Sequence, residues 1–553
     1  MKRIIHIFCL FLLPWALCAV PAWRGPIVRT QSDGTEKTVY LHGDQFFHYL
    51  TDEQGQVIRL NEQGMYEQAE QLTEEQIASL RSLSPAFQAR QRRIGRLNLA
   101  PRGLIIMVNF SDLSFRTQNT REAFDKMHNG TNYTYGGATG SAREYFIDQS
   151  LGQYQPHFDV VGPVNLPHNM TYYGENDRYG SDRRATQMII DACDMVKAEY
   201  PEIDFSQYDN DRDGFVDFVF VVYAGHNEAN GADPNTIWPH NYYIYSGSGI
   251  THVLDGVKLD NYACSSELQG YSGQKRAGIG TFCHEFSHVL GLPDLYSTNG
   301  AAHKTLGQWD ILDYGPYNNN SNTPPAYSAY ERFYMGWTEP EVLVDRQNIR
   351  LEQLQSSNKC YLLCETQEHN LYGVKPSPDD FYLLENRQQT DWDSYLPGHG
   401  LLITHIRYSQ SRWSQNTVNN NEATMGVNIV EADGLTPTAG EYRKGYLGKQ
   451  GDAFPYDTIN YFTAYPEQPI TNIKESNDGI ISFWYKGGRS NIIDSLWNDP
   501  QYKPQVINYY TPDGKPTGAD DLNDLQPGLY IIQVDKDPVY NKKGRGKKVL
   551  IVK

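Results

Sequence analysis

The sequence predicts a multidomain protein of the mixed α/β class, with β-rich segments on both sides of a central α/β unit. At 553 residues, the chain is longer than a single hydrophobic core supports, so we expect about three or four structural units. Helical and strand periodicities alternate in the middle of the chain, whereas short strands with turn signals dominate elsewhere. An apolar content of 39%, with 40 tyrosines, is sufficient for packed cores and argues against general disorder.

The first residues predict export. Lys2 and Arg3 precede a short apolar run over residues 4–20 that ends in small residues, which is the pattern of a secretory signal peptide covering residues 1–22. The alternative is a membrane anchor, but Pro14 interrupts a run that is already short for spanning a bilayer. Since no other segment is apolar enough to cross, we expect a secreted or cell-surface protein without a membrane span.

The charge balance excludes some partners. A formal net charge of −18 disfavours nucleic acid or an anionic membrane surface as the main partner. An acidic surplus also suits a protein that binds hard cations, although solubility alone accounts for it equally well.

The cysteines do not predict a disulfide framework. Of seven cysteines, two lie in the predicted signal peptide. The other five are odd in number and follow neither metal-ligand nor framework spacing, so we expect buried small apolar groups. A single bridge, such as Cys360 to Cys364 or Cys264 to Cys283, stays open.

Residues 23–98 are predicted to form a small β-rich unit, with turn signals around Gly55 and Gly64 and a helix near its end. The basic segment 90–96 (RQRRIGR) lies at the end of this unit. This segment is either a cleavage site for an activating, Arg-directed protease or a solvated link between domains, and the sequence leaves both interpretations open.

Residues 99–340 are predicted to be the mixed α/β unit. Segments 103–110 and 215–223 have the pattern of buried strands, Ser141 to Glu144 is a capping box, and 181–197 has one apolar helical face. After residue 340 the helical patterns fade. Short strands separated by Gly, Pro and Asn turns predict a β-sandwich over 341–488 and a β-rich tail over 489–553.

The segment that indicates chemistry is His284-Glu285-Phe286-Ser287-His288. On a helix, residues four apart lie one turn above each other, so the two imidazoles can bind one metal ion while Glu285 projects beside it. Two histidines on a surface helix, or a structural metal site, are the plainer interpretations. The apolar residues around the motif favour a catalytic zinc site.

The residues that follow supply a third ligand. Gly291 is suited to end the helix in a left-handed conformation, and Pro293 prevents the helix from resuming. The turned chain can then bring Asp294 back to the metal. Two neutral histidines and one carboxylate leave one coordination position open for water, as a catalytic zinc ion requires.

The pattern His-Glu-x-x-His-x-x-Gly-x-x-Asp followed by Leu-Tyr resembles the immune inhibitor A-like family, metzincin-type zinc metallopeptidases secreted by bacteria. Weaker matches at 324–337, 381–387 and 400–406 extend the resemblance over about residues 23–485. The resemblance implies a metzincin-like catalytic domain, a latency-conferring pro-segment over 23–98 and an accessory β-sandwich.

Residues 307–315 (GQWDILDYG) resemble the methionine turn that lies beneath the zinc ion in that clan. Leu312 stands where methionine is usual, and since the two side chains are similar in size and apolar, the exchange is expected to be tolerated. The resemblance also places Tyr314 where some metzincins have a tyrosine near the metal. It is predicted either to stabilise the oxyanion or to be a packed aromatic residue.

A second metal site is predicted at the loop 209–217 (DNDRDGFVD). Four carboxylates, a glycine at the sixth position and one backbone carbonyl fit oxygen coordination of calcium. The predicted ligands are Asp209, Asp211, Asp213, the carbonyl of Phe215, and Asp217. Phe220 stands where an EF-hand has glutamate, so the loop is no EF-hand, and an acidic turn before a strand is the alternative.

The predicted function is hydrolysis of internal peptide bonds in protein substrates by a zinc-activated water, with Glu285 as the general base. The rival interpretation is a noncatalytic surface adhesin that retained a metallopeptidase fold. The loss of a ligand or of the base would favour this rival, and all four residues are present. The tail resembles C-terminal sorting domains of some Bacteroidota, with a small terminal β-domain as the alternative.

Overall fold

The computed structural model describes residues 20–44, 47–61, 63–83, 100–177, 180–443, 446–487, 506–510, 529–534 and 548–552. Most of the predicted signal peptide and the whole basic linker lie outside these residues. Within them, the predicted mixed α/β architecture is confirmed.

The N-terminal unit is an antiparallel five-stranded meander, in the order β1-β2-β3-β4-β5. Its glycine turns lie where the sequence predicted them: Gly55 and Gly64 adopt φ angles of 77° and 74°, which a side chain would disfavour. One helix follows near the end of the unit, as the sequence predicted. The elements are β1 (Ile27–Thr30), β2 (Glu36–Asp44), β3 (Phe47–Thr51), β4 (Val57–Leu60), β5 (Tyr66–Gln68) and α1 (Glu74–Leu83).

The central unit is built on a five-stranded sheet in the order β10-β13-β9-β6-β7, parallel except for the edge strand β10. A second, three-stranded sheet has the order β11-β12-β8. The strands are β6 (Arg102–Asn109), β7 (His157–Asn165), β8 (Phe215–Val216), β9 (Val219–Tyr223), β10 (His240–Tyr243), β11 (His252–Leu254), β12 (Val257–Leu259) and β13 (Asn261–Ser266). The helices are α2 (Arg121–Asn129), α3 (Ala142–Gln149), α4 (Met170–Gly174), α5 (Ala185–Glu199), α6 (Ile244–Ser248), α7 (Gly280–Val289) and α8 (Ala329–Tyr334).

Helices cover both faces of the large sheet, so its strands are apolar on both sides. Alternate residues of β6 and β9 pack on α5 at one face, and the intervening residues pack on α2, α3 and α7 at the other. The capping box is confirmed: the Ser141 hydroxyl accepts from the Glu144 amide, and the Glu144 carboxylate accepts from the Ser141 amide. α7, which carries the histidine motif, therefore packs against one face of the large sheet.

One predicted element was wrong. The apolar segment 215–223 forms two strands rather than one, since β8 pairs with β12 whereas β9 pairs with β6 and β13. The break falls at Asp217, whose carboxylate accepts a hydrogen bond from the Asn210 amide at 2.6 Å and ties the chain to the acidic loop. Asp217 is the one charged residue among the apolar residues of this segment, and the pattern alone does not reveal the partner of its carboxylate.

Residues 341–487 contain two sheets, in the orders β14-β16-β17-β18-β19 and β15-β21-β20, which share one apolar cluster. The strands are β14 (Glu341–Val342), β15 (Gln347–Leu351), β16 (Tyr361–Leu363), β17 (Asp380–Arg387), β18 (Gly400–Arg407), β19 (Val427–Ile429), β20 (Ile470–Glu475) and β21 (Ile481–Tyr485). The short helices are α9 (Leu354–Ser357), α10 (Gln410–Ser414) and α11 (Ala439–Arg443). In the tail, β22 (Val506–Tyr510), β23 (Leu529–Val534) and β24 (Lys548–Val552) form an antiparallel sheet.

Buried charged groups join the α/β unit to these two sheets. Lys304 contacts Glu431 at 2.7 Å and Asp452 at 3.0 Å, and the Trp309 indole donates to Asp452 at 2.9 Å. One hydrophobic cluster also contains residues of both units. Removing one partner of a buried ion pair strongly destabilises the folded protein, because the remaining charge is left uncompensated. These contacts therefore fix the second unit onto the first.

Two further expectations can be compared with the described residues. Cys193, Cys264, Cys283, Cys360 and Cys364 are all buried free thiols, as expected, and neither open bridge forms. In the part of the chain that the structure covers, no helix has both the length and the apolar character needed to cross a bilayer.

Candidate metal centre

Helix α7 presents two chemically different faces. On one face, Phe282 and Phe286 pack against Phe158, with ring centroids 4.9 and 5.2 Å apart. On the other face, His284, Glu285 and His288 are also buried, at 5% exposure or less. Since burying polar groups is costly unless they are paired or bind a ligand, this polar face needs a compensating interaction.

The structure brings the three predicted zinc ligands together. The Nε2 atoms of His284 and His288 are 3.0 Å apart, and each lies 3.3 Å from Oδ1 of Asp294. In a tetrahedral zinc site with bonds of about 2.0–2.1 Å, ligand atoms are separated by about 3.3 Å. The group therefore has the size and the donor set of a site for one tetrahedral cation.

The other nitrogen of each imidazole is held by a backbone carbonyl. His284 Nδ1 donates to the Ile311 carbonyl at 2.7 Å, and His288 Nδ1 donates to the Leu292 carbonyl at 2.8 Å. Because a carbonyl only accepts, both Nδ1 atoms carry the proton. In the neutral imidazole the Nε2 lone pairs then face Asp294, which is the tautomer that metal binding requires.

The bend after α7 is stabilised as the sequence predicted. Gly291 has a φ of 109°, and the Leu292 amide donates back to the Ser287 carbonyl at 3.2 Å. The helix thus ends at Val289, four residues before Pro293, and Asp294 returns to the histidines with 1% exposure.

The sequence did not reveal the residue that holds Asp294. The Asn416 side chain donates to Asp294 Oδ2 at 2.6 Å and accepts from the Asp294 amide at 2.7 Å. This leaves Asp294 Oδ1 directed at the histidines. Asn416 lies 122 residues further along the chain, after α10, so no local pattern connects it to the site.

The charges within the group shift the pKa values of its members. Burial lowers the pKa of His284, but Asp294 and Glu285 outweigh it and raise that pKa to about 9. Burial raises the pKa of Asp294, yet the two histidines bring it below its usual range. Burial raises the pKa of Glu285 to about 8. The site thus holds tightly interacting acidic and basic groups, in which a bound cation would compete with protons.

Residues at the start of the described chain cover Glu285. The Val20 amide donates to Glu285 Oε1 at 3.2 Å, and the Val20 carbonyl accepts from the Trp238 indole at 3.2 Å. The Tyr317 hydroxyl donates to the Pro21 carbonyl at 2.7 Å. Residues 20–22, predicted as the end of the signal peptide, therefore pack against the α/β unit beside the metal group.

Tyr314 is buried with 3% exposure, and its hydroxyl accepts a hydrogen bond from Arg24 Nε at 2.5 Å. Burial raises the pKa of the phenol well above its usual value, so the hydroxyl stays protonated and retains a proton to donate. In this structure the hydroxyl is therefore engaged by the N-terminal segment.

The segment 307–315 lies next to the two histidines. It supplies the Ile311 carbonyl to His284, and the Leu312 carbonyl accepts from the Leu295 amide at 2.8 Å. Leu312 is fully buried in the core that it shares with Phe282 and Phe286. An apolar side chain of this size thus fills the position.

The acidic loop gathers three of its predicted ligands. Carboxylate oxygens of Asp209, Asp211 and Asp213 lie within 4.8 Å of one another. Asp217 lies outside this group, and burial raises its pKa to about 6. Phe215 donates its amide to Asp213 Oδ1 at 3.0 Å. Three exposed or partly exposed carboxylates in one loop suit a hard cation, although such groups also occur without one.

The fold and the site together define a class: an α/β domain with a His-His-Asp metal group on and after a buried helix, as in metallopeptidases. Residues 104–338 match the family model described as the immune inhibitor A peptidase M6 catalytic domain. This part of the chain is similar to the catalytic domain of the immune inhibitor A-like peptidases, and the resemblance inferred from the sequence is confirmed.

Two relatives are similar over limited lengths. The chain is 23% identical over 291 residues to the "Pre-pro-metalloprotease PrtV" of Vibrio cholerae serotype O1, which covers 45% of this chain and 30% of that protein. It is 23% identical over 214 residues to the "Immune inhibitor A" of Bacillus thuringiensis subsp. alesti, covering 34% of this chain and 31% of the relative. The matched region thus spans less than a third of each relative's length.

We expect Asn416→Gly to lower metal affinity roughly 10–100-fold, because removing a hydrogen-bonded partner of a ligand typically has this effect. Glycine tolerates the φ of 53° at this position, so the variant isolates the side chain. The measurement is metal titration of the full chain against a competing chelator. Asn420→Gly in the same loop is the control, and equal losses in both variants would contradict the assignment.

Proposed function

We propose that this protein is a secreted zinc-dependent endopeptidase, made as a latent precursor, that hydrolyses peptide bonds in proteins. The observation that carries the proposal is the convergence of His284, His288 and Asp294 at tetrahedral spacing, with Glu285 buried beside them. The match of residues 104–338 to a metallopeptidase family model supports the same reaction class.

The donor set favours zinc. Two neutral imidazoles and one carboxylate are the protein ligands of many catalytic zinc sites, whereas calcium and magnesium prefer oxygen ligands alone. Three protein ligands leave a position for water. When bound, zinc lowers the pKa of that water and polarises the substrate carbonyl.

Individual residues of this chain then carry the remaining tasks, which are proton transfer, ligand orientation and stabilisation of the oxyanion. Glu285 takes the proton of the attacking water and delivers it to the leaving amine. Asp294, fixed by Asn416, keeps both imidazoles in the orientation set by the carbonyls of Ile311 and Leu292. The hydroxyl of Tyr314 accepts from a guanidinium and so keeps its own proton, which it donates to the developing oxyanion.

The contacts of residues 20–24 support latency by steric cover. Val20 binds Glu285, the Trp23 amide donates to the Ala229 carbonyl at 2.9 Å, and Arg24 binds Tyr314. Together these contacts hold the segment against the α/β unit, with Val20 on the proposed base. The activation step is cleavage in the linker 90–96, which would free this segment together with the meander β1–β5.

The noncatalytic adhesin remains the second candidate, because a binding protein can retain a peptidase fold. It is disfavoured by the presence of all three ligands and the base in one buried group. A casein or gelatin assay with and without a zinc chelator separates the two functions.

Export is proposed from the signal peptide predicted within residues 1–22, with cleavage before Val20, so that residues 20–24 stay on the latent precursor. The small sheet β22–β24 is the proposed sorting domain or terminal β-domain. Deleting residues 489–553 tests the sorting role. Protein that fails to reach the cell surface or medium would support it, and unchanged export would reject it.

Glu285→Gln should keep one metal ion per chain but lower kcat by at least about 100-fold, since general acid–base catalysis contributes about 10²–10⁴-fold. Hydrolysis of a quenched peptide and metal analysis of the same preparation check both parts. His284→Ala is the contrasting variant and should lose metal as well. Full activity of Glu285→Gln would reject the base assignment.

Cleavage of the linker should convert the latent chain into active enzyme with a new N-terminus between about residues 93 and 100. N-terminal sequencing of the active species and its hydrolysis rate check this. Replacing the four linker arginines by glutamine should keep the chain latent. Fully active enzyme that retains residues 23–97 would contradict the proposal.

A structural calcium ion is proposed for the loop 209–217. The ion would neutralise Asp209, Asp211 and Asp213, and so stabilise the start of β8 and β9. Calcium should raise the melting temperature of the full chain, and Asp211→Asn should reduce that increase. An equal increase in both proteins would assign the effect to another site.

A further inference from the structure

The side chain of Arg24 lies in a cationic clamp, defined as Tyr314, Tyr442 and Asp313. Its guanidinium carbon is 4.3 Å from the ring centroid of Tyr314 and 3.5 Å from that of Tyr442. Arg24 Nη1 also donates to the Tyr442 carbonyl at 3.3 Å, in addition to the bond from Nε to the Tyr314 hydroxyl. Two aromatic faces and two acceptors are well suited to a planar guanidinium.

The third member of the clamp supplies charge. Asp313 is fully buried, and one of its carboxylate oxygens accepts the Gly307 amide at 2.8 Å. Burial raises the pKa of Asp313 to about 6, while the positive charge of Arg24 acts to lower it. Removing Arg24 would leave this carboxylate buried without that cation, which is unfavourable.

The course of residues 20–24 relates the position of the clamp to the position of the cleaved bond. The Val20 nitrogen is bonded to Glu285, the group that hands a proton to the leaving amine in the proposed mechanism. The Val20 nitrogen therefore stands where the nitrogen of the cleaved bond would stand. Counting Val20 as the first residue on the carboxyl side of that bond, Arg24 is the fifth.

We propose that the clamp becomes a substrate subsite once residues 20–24 leave, and that it selects an arginine as the fifth residue after the cleaved bond. This inference rests on the proposed peptidase function and adds its substrate class. An incoming guanidinium restores the aromatic contacts, both hydrogen bonds and the counter-charge for Asp313. Lysine offers a compact charge without the planar fork, so arginine is preferred over lysine.

Part of this specificity comes from outside the family-matched segment. Tyr442 lies on α11, within residues 341–487, whereas Tyr314 and Asp313 belong to the segment next to the metal group. The two units thus form the clamp jointly, and the second unit acts in substrate selection.

The test uses full-length protein that has been folded, cleaved in the linker 90–96 and repurified. Quenched peptides of one sequence carry arginine, lysine, citrulline or leucine at the fifth position, and a second series moves the arginine to positions three, four and six. We expect kcat/KM to fall about tenfold from arginine to its uncharged isostere citrulline, and only at position five. Equal values, or an optimum at another position, would overturn the proposal.

A matched pair of variants assigns the preference to the clamp. Tyr442→Leu removes one aromatic face and should bring the arginine-to-citrulline ratio close to one, while Tyr442→Phe keeps the ring and the ratio. A ratio retained in Tyr442→Leu would show that the selectivity arises elsewhere.

A binding measurement separates this inference from the peptidase function. Fluorescence anisotropy of a C-terminally labelled peptide of residues 20–26 (VPAWRGP), and of its citrulline analogue, reports the clamp without requiring catalysis. About tenfold tighter binding of the arginine peptide is expected even if no peptide is hydrolysed. Equal affinities would reject the clamp as a subsite, whereas the absence of any chelator-sensitive hydrolysis would reject only the peptidase.

Discussion

The metal group depends on one constraint, which is the return of Asp294 to the two histidines after α7 ends. A helix alone presents two imidazoles, and a third ligand requires the chain to reverse within six residues. The left-handed Gly291 permits the reversal, and the two hydrogen bonds from Asn416 fix its result. The carbonyls of Ile311 and Leu292 then orient the imidazoles, so backbone geometry and one distant amide together determine the site.

The same region is where the N-terminal segment and the second unit meet. Val20 contacts Glu285, Arg24 contacts Tyr314, and Tyr442 closes over Arg24 from α11. Each contact involves a group that either takes part in the proposed chemistry or lies next to it. The proposed cover, the proposed base and the proposed clamp are therefore parts of one connected arrangement, in which a change at one group alters the surroundings of the others.

The parts of this structure that could be predicted are those encoded locally. The grouping of His284, His288 and Asp294 follows from helical spacing and a turn signal within eleven residues, and the capping box at Ser141 and the turn glycines follow in the same way. Asn416 and Tyr442 could not be predicted, because their contacts with Asp294 and Arg24 span 122 and 418 residues. The split of 215–223 was missed since a polar contact, not periodicity, interrupts the strand.

Asn416 lies outside the family-matched segment, yet it holds a candidate metal ligand that lies inside it. The match ends at residue 338, yet the amide that steadies Asp294 and the acids that neutralise Lys304 come from beyond residue 400. A fragment cut at the family boundary would carry every ligand but lack their support. The structural unit that supports the metal group is therefore longer than the family-matched segment, and a fragment of residues 104–338 alone would leave Asp294 without its amide partner.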